Sequence, residues 1–206
     1  MINIGIDFNR INKNYYEKKS NIIIIDEMNE KGKAELTVTF PNITTVAYYK
    51  LCQETSSWLN FANNSSCADG IIIGIESNKK AKIYIIELKS KMSAAKWSKV
   101  LNQFRGSILR AIAFCNTIGI QEIEEVSLYT SFIDRTIIDR EKFVNEKRKT
   151  IKGGIIKQKL MSGSRLTDID QWDNQTIRPF PKSQFFEHKT INLMKVNNIN
   201  KGSFII

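Results

Sequence analysis

Branched apolar residues cluster in short runs along the first half of the chain, and their spacing sets out most of the expected elements. Residues 21–26 and 34–40 are β-rich and are parted by residues 28–33, where Gly32 supplies a turn, so they predict a β-hairpin. Pro41-Asn42 breaks the second strand. Between 44 and 61 the apolar residues Val46, Ala47, Leu51, Trp58, Leu59 and Phe61 recur at mostly helical spacings, which predicts an amphipathic helix ended by Asn63-Asn64-Ser65-Ser66. Two denser runs, 68–75 and 81–88, flank Ser77-Asn78-Lys79-Lys80 and predict a second hairpin. Both runs are apolar on both faces, so these strands are expected to be covered on both sides.

From 93 to 116 a stripe of Trp97, Val100, Leu101, Phe104, Ile108, Leu109, Ile112 and Ala113 predicts a long helix, and 126–132 predicts one further buried strand. Beyond Ile133 the pattern weakens. Residues 139–148 suit a charged helix, Gly153-Gly154 breaks the chain, and 162–181 read as loop-rich. With no internal repeat or low-complexity linker, the expectation is one α/β domain over residues 1–206. Its core, about 44–132, runs helix, strand, strand, helix, strand. An N-terminal hairpin extends the sheet, and 133–206 form a basic, loop-rich C-terminal segment.

Charge sharpens this picture. The formal net charge is +10, from 31 Lys and Arg against 21 Asp and Glu. Between Arg135 and Arg165 ten basic residues face three acidic ones, so this stretch alone carries +7. Such a concentration favours a face for a polyanion over general solubility, although a solvated lysine-rich surface has the same composition. Within it, Lys147, Arg148, Lys149 and Lys152 are the candidates for contacts to a nucleic-acid backbone. Cys52, Cys67 and Cys115 are far apart and His188 is the single histidine, which argues against a zinc site. An odd cysteine count, no export-signal layout at residues 1–10 and no apolar run long enough to cross a bilayer give a cytoplasmic expectation with no membrane partner.

The candidate chemistry sits at one end of the second hairpin. In Ile85-Ile86-Glu87-Leu88-Lys89, Glu87 and Lys89 share a strand face. If Glu76 pairs with Lys80 around a three-residue turn, Asp69 falls opposite Glu87 on that same face, at roughly 5 Å. Two carboxylates so close in a buried place raise each other's pKa, and a divalent cation removes that cost. Mg²⁺ (or Mn²⁺) suits the set, since it takes one or two carboxylates and keeps waters and phosphate oxygens; the Leu88 carbonyl is a further candidate ligand. Lys89 beside such a cation is expected to be depressed in pKa and to orient or deprotonate water, or, if protonated, to stabilise transition-state charge. Taken singly, a Glu-x-Lys in a lysine-rich chain or an aspartate before a strand is ordinary. Their joint placement on buried strands favours function.

These residues, Ala68-Asp69-Gly70-Ile71-Ile72-Ile73 followed by Ile85-Ile86-Glu87-Leu88-Lys89, resemble the PD-(D/E)xK nuclease superfamily, with the restriction-endonuclease-like order of elements around them. The resemblance covers about 44–132, and Ala68 stands where the family name has proline. It implies Asp69 and Glu87 as metal ligands and Lys89 as the water-positioning residue. It also implies Glu54, on the preceding helix, as a further metal-linked acid, and Gln103, on the following helix, as a supporting catalytic residue. Arg105, near Gln103, is a candidate phosphate contact, as are Lys96, Lys99 and Arg110 on the same helix, although each reads equally as a solvated helix residue. Trp97 and Phe104 read as core, and His188 as a surface residue of the tail.

The resulting expectation is a Mg-dependent endonuclease acting on nucleic acid, DNA ahead of RNA, in a role such as phage defence or restriction. Two other readings stand beside it: a non-catalytic nucleic-acid-binding module, and a subunit of a larger defence complex. A homodimer or a partner subunit is compatible with each.

Overall fold

The computed structural model of the chain describes residues 6–19, 21–29, 32–40, 45–49, 66–76, 80–91, 94–120, 122–134, 176–177, 186–197 and 199–206. Two single-turn 3-10 helices, Phe8–Arg10 and Lys13–Tyr15, lead into β1 (Tyr16–Lys19). The hairpin β2 (Ile22–Asn29) and β3 (Gly32–Thr39) is followed by β4 (Thr45–Tyr49), β5 (Gly70–Ile75) and β6 (Lys80–Lys91). The helix α1 (Ala94–Ile118) then leads to β7 (Glu122–Asp134). Four strands come from the tail: β8 (Thr176–Ile177), β9 (Phe186–Asn192), β10 (Met194–Val196) and β11 (Ile199–Ile205).

These strands form two mixed sheets. The first has seven strands in the order β1-β4-β5-β6-β7-β9-β8, and the second has four, β10-β11-β3-β2. In the first sheet β4, β5 and β6 run antiparallel, and β7 returns parallel to β6 after α1. The fold is therefore α/β in three layers. Trp97, Val100, Phe104 and Ile108 of α1 pack on Ile71, Ile73, Ile83 and Ile85, while Ile23, Ile25, Leu36 and Val38 of the second sheet pack on Ile72, Tyr84, Ile86 and Leu88. The two-sided cover expected for β5 and β6 is present, and all six residues of β5 are buried. Each isoleucine so buried contributes about 1.5–3 kcal/mol relative to exposure.

Four expectations need correction. The N-terminal hairpin forms, but it lies in the second sheet instead of extending the first. One apolar face explains this: Ile23 and Ile25 are buried while Ile22 and Ile24 are exposed, so the hairpin packs face to face rather than edge to edge. Residues 45–49 are a strand, not the start of a helix, paired with both β1 and β5. Their composition, Thr-Val-Ala-Tyr-Tyr, favours strand. The remainder of the expected 44–61 helix lies outside the described residues, as does the charged helix at 139–148. The tail beyond 185 is not loop-rich: β9 pairs parallel with β7, and β11 pairs parallel with β3. On α1 the buried stripe continues through Ala111, Phe114, Cys115 and Ile118, with Ile112 at the surface.

Candidate active site

The second hairpin closes as its polar turn requires. The Glu76 N–H donates to the Lys80 carbonyl at 3.0 Å, and Ile71 faces Ile85 and Gly70 faces Ile86. Carried one residue further, that register sets Asp69 opposite Glu87, just before β5 begins at Gly70. Odd-numbered positions on β5 and on β6 through Ile85 face α1, and the same alternation along β6 sets Glu87 and Lys89 on one face, with Asp69 meeting them at the hairpin's edge.

Because β5 pairs with β6 only as far as Gly70 and Ile86, the Leu88 N–H donates instead to Asp69 Oδ2 at 2.7 Å. The N–H and C=O of one strand residue point to the same edge, so the Leu88 carbonyl also lies on the Asp69 side, away from the ladder with β7. Lys89 Nζ contacts Glu87 Oε1 directly. Glu87 is fully buried, yet its Oε2 accepts no hydrogen bond, and neither does the buried Gln103 Oε1. Gln103 is oriented by its other end, where Nε2 donates to the Cys67 carbonyl at 3.1 Å.

Electrostatics follow from this crowding. Burial, then the charge of Asp69, push Glu87 up to about 8 against the pull of Lys89 and Gln103. Burial likewise pushes Asp69 up to about 6, with Lys89 and the Leu88 N–H opposing it. Burial pulls Lys89 down, but Glu87, Asp69 and Glu27 outweigh it, so its ammonium is held above the ordinary range. The expected depressed lysine needs the charge of a cation; the chain by itself does the opposite. As a coupled trio these groups retain more protons at neutral pH than they would apart.

The loop bearing Asp69 is gripped by α1. Ala68 N–H donates to Ser107 Oγ at 2.8 Å, and Arg110 Nη1 donates to the Ser66 carbonyl at 3.0 Å. Arg110, read from sequence as a candidate phosphate contact, is thus buried and structural. Arg105 lies about 200° around the helix from Gln103, at 100° per residue. It is bonded to Asn102 Oδ1, so it faces away from the trio. Lys99, in contrast, is exposed and close enough for its charge to lower the pKa of Asp69. Glu54, Lys147, Arg148, Lys149 and Lys152 lie outside the described residues.

Sequence reasoning missed three features. His188 is fully buried, bonded to Thr130 Oγ1 at 2.9 Å and packed on Trp97 and Phe104, and burial pulls its pKa down to about 3. A lone histidine in a tail carries no signal for this; the alternation around it in β9 was the one available clue. Glu27 extends the inward face of β2 beyond Ile23 and Ile25, and its charge raises both Asp69 and Lys89. Ile25 packs on Gly70 so closely that a Cβ there would meet Ile25 Cδ1 at 2.5 Å.

Among the described residues no three His, Cys, Asp or Glu side chains gather as a metal cluster. The site instead offers two carboxylates, a buried amide oxygen and a backbone carbonyl. That all-oxygen set, with two buried acceptors lacking hydrogen bonds, fits a hard divalent cation that keeps several waters. No helix among the described residues is long and apolar enough to cross a membrane. No protein-family model, curated protein or solved structure matches the chain.

Proposed function

We propose that this chain is a metal-dependent nuclease of the PD-(D/E)xK type, with a restriction-endonuclease-like core built from β4, β5, β6, α1 and β7, hydrolysing phosphodiester bonds in nucleic acid, DNA first. One observation carries the reading: Asp69 and Glu87 meet at the end of a buried hairpin, with Lys89 on Glu87 and a buried carboxylate oxygen left without a donor. A hairpin core has no stability reason to end this way, because buried unsatisfied acceptors and paired carboxyls both cost free energy.

Asp69 Oδ1, Glu87 Oε2, the Gln103 amide oxygen and the Leu88 carbonyl are the groups that would hold Mg²⁺ or Mn²⁺. Such an ion supplies Lewis-acid polarisation of a phosphoryl oxygen and a more acidic bound water. Gln103 orients acceptors toward the site through its bond to Cys67. Lys89, held as an ammonium, donates toward charge building on the phosphoryl oxygens. When Asp69 and Glu87 are neutralised, Lys89 loses the anions that retain its proton and becomes able to take one from water. Water oxygen bonds to phosphorus, one phosphodiester P–O bond breaks, and the products are a phosphomonoester and a hydroxyl. The +10 net charge supports a polyanionic substrate. A role in phage defence or restriction suits this activity.

The test is cleavage of single- and double-stranded DNA and RNA with Mg²⁺, Mn²⁺ or EDTA, beside Glu87→Ala and Lys89→Ala. Metal-dependent cutting lost in both variants is the expected result. Binding without cutting under every metal would replace the nuclease with a nucleic-acid-binding module.

A further inference from the structure

One stripe of α1 combines two poor helix formers with a buried amide and a buried guanidinium. Gly106 lies in the middle of a 25-residue helix, Ser107 sits beside it, and Arg110 is buried with 2% of its surface exposed. Glycine and serine are poor helix formers, and a buried guanidinium is costly to desolvate. With Gln103 these residues occupy positions i, i+3, i+4 and i+7, which is one face. All four act on three consecutive residues. Arg110 takes the Ser66 carbonyl, Gln103 the Cys67 carbonyl, and Ser107 the Ala68 N–H. Gly106 lets this backbone approach, since a Cβ there would stand 1.8 Å from the Ser66 carbonyl oxygen. The next residue is Asp69, whose far side is held by the Leu88 N–H.

We infer that this stripe is a positioning device for Asp69, with Ser107 and Arg110 as positioning residues that fix its carboxylate opposite Glu87 for cation binding. The inference rests on the nuclease reading. Unfavourable local choices that converge on one loop are the mark of a site held for function, because alanine at 106 and 107 would make a better helix. Hydrogen bonds behind the ligands of a metal hold them in the binding geometry, and losing such a bond typically lowers affinity about 10–100-fold.

The experiment is Mn²⁺ titration followed by the electron paramagnetic resonance of the free ion, with urea midpoints measured in parallel. Wild type, Glu87→Gln, Ser107→Ala, Arg110→Lys and Ile83→Val are compared. Ile83→Val trims the core away from the stripe and reports what lost stability alone does. The expected result is binding by wild type that Glu87→Gln abolishes and that Ser107→Ala and Arg110→Lys weaken about tenfold. Ile83→Val binds as wild type. Should Ser107→Ala not fold, the near-isosteric Ser107→Cys carries the same comparison. Unchanged affinity in the stripe variants, or an equal loss in Ile83→Val, overturns the positioning role and leaves the nuclease reading standing. Absence of Mn²⁺ binding by wild type overturns the nuclease reading and the positioning role with it.

Discussion

Replacing Glu87 by glutamine isolates the cost of holding a carboxyl in this site. In the unfolded chain Glu87 ionises near its ordinary 4.5, whereas burial beside Asp69 raises it to about 8 in the folded chain. Between those values the folded state binds the extra proton, so stability falls as pH rises. Over the roughly 2.5 pH units up to pH 7, at about 1.36 kcal/mol each, the loss is about 3 kcal/mol. Glutamine resembles the protonated side chain and escapes it. Urea unfolding in EDTA from pH 4.5 to 7 should therefore show the variant gaining about 3 kcal/mol on wild type, or roughly 6–12 °C in Tm. Any fixed penalty from removing the partner of Lys89 displaces the curve without changing its slope, and His188 and Asp69 are common to both proteins. If the site holds Mg²⁺ as proposed, the ion at a hundredfold over its Kd should return about 2.7 kcal/mol to wild type and nothing to the variant. A difference between the two proteins that stays flat with pH would refute the reasoning.

Other outcomes follow from particular contacts. Lys99→Gln should lower the slope of log affinity against log salt for duplex DNA by about 0.9, the value of one phosphate contact, in a fluorescence anisotropy titration with EDTA. Gly70→Ala forces a methyl against Ile25 and should cost about 1–3 kcal/mol by urea unfolding, with Ile25→Val recovering part of it. The buried, neutral His188 destabilises the fold as pH drops from 6.5 toward 3, because the unfolded chain takes up the proton that the folded one refuses. Its replacement in His188→Gln should flatten that acid limb of the urea midpoint.

Local chemistry explains what could be read in advance. The Asp69–Glu87 juxtaposition was legible because a polar turn between two isoleucine runs fixes register, and register fixes face. The long helix was legible from Trp97 through Ile108. A five-residue run such as 45–49 is too short for its periodicity to separate helix from strand, and pairing with β1 and β5 decided it. The pairing of 199–205 with 32–39 had no local signature, since Ile-Asn-Lys-Gly-Ser-Phe-Ile shows little alternation. Nothing in the sequence marks Ser107, and Arg110 reads as one more basic residue of the helix, because the partners of both are backbone atoms of a loop some 40 positions earlier, and no side-chain pattern records those.

The parallel pairing of β11 with β3 also has a consequence in time. Lys201 bonds to Glu35 across 166 positions, and β11 lies between β3 and β10 in the second sheet. A ribosome making this chain in order exposes the β2–β3 hairpin long before its neighbour exists. Until residues 199–205 emerge, that sheet lacks an inner strand, and the layer supporting Ile25 against Gly70 is incomplete. Contacts of such long range also slow folding. The layer behind Gly70, and with it the support for the hairpin end that carries Asp69 and Glu87, is therefore completed only once residues 199–205 are available to pair with β3.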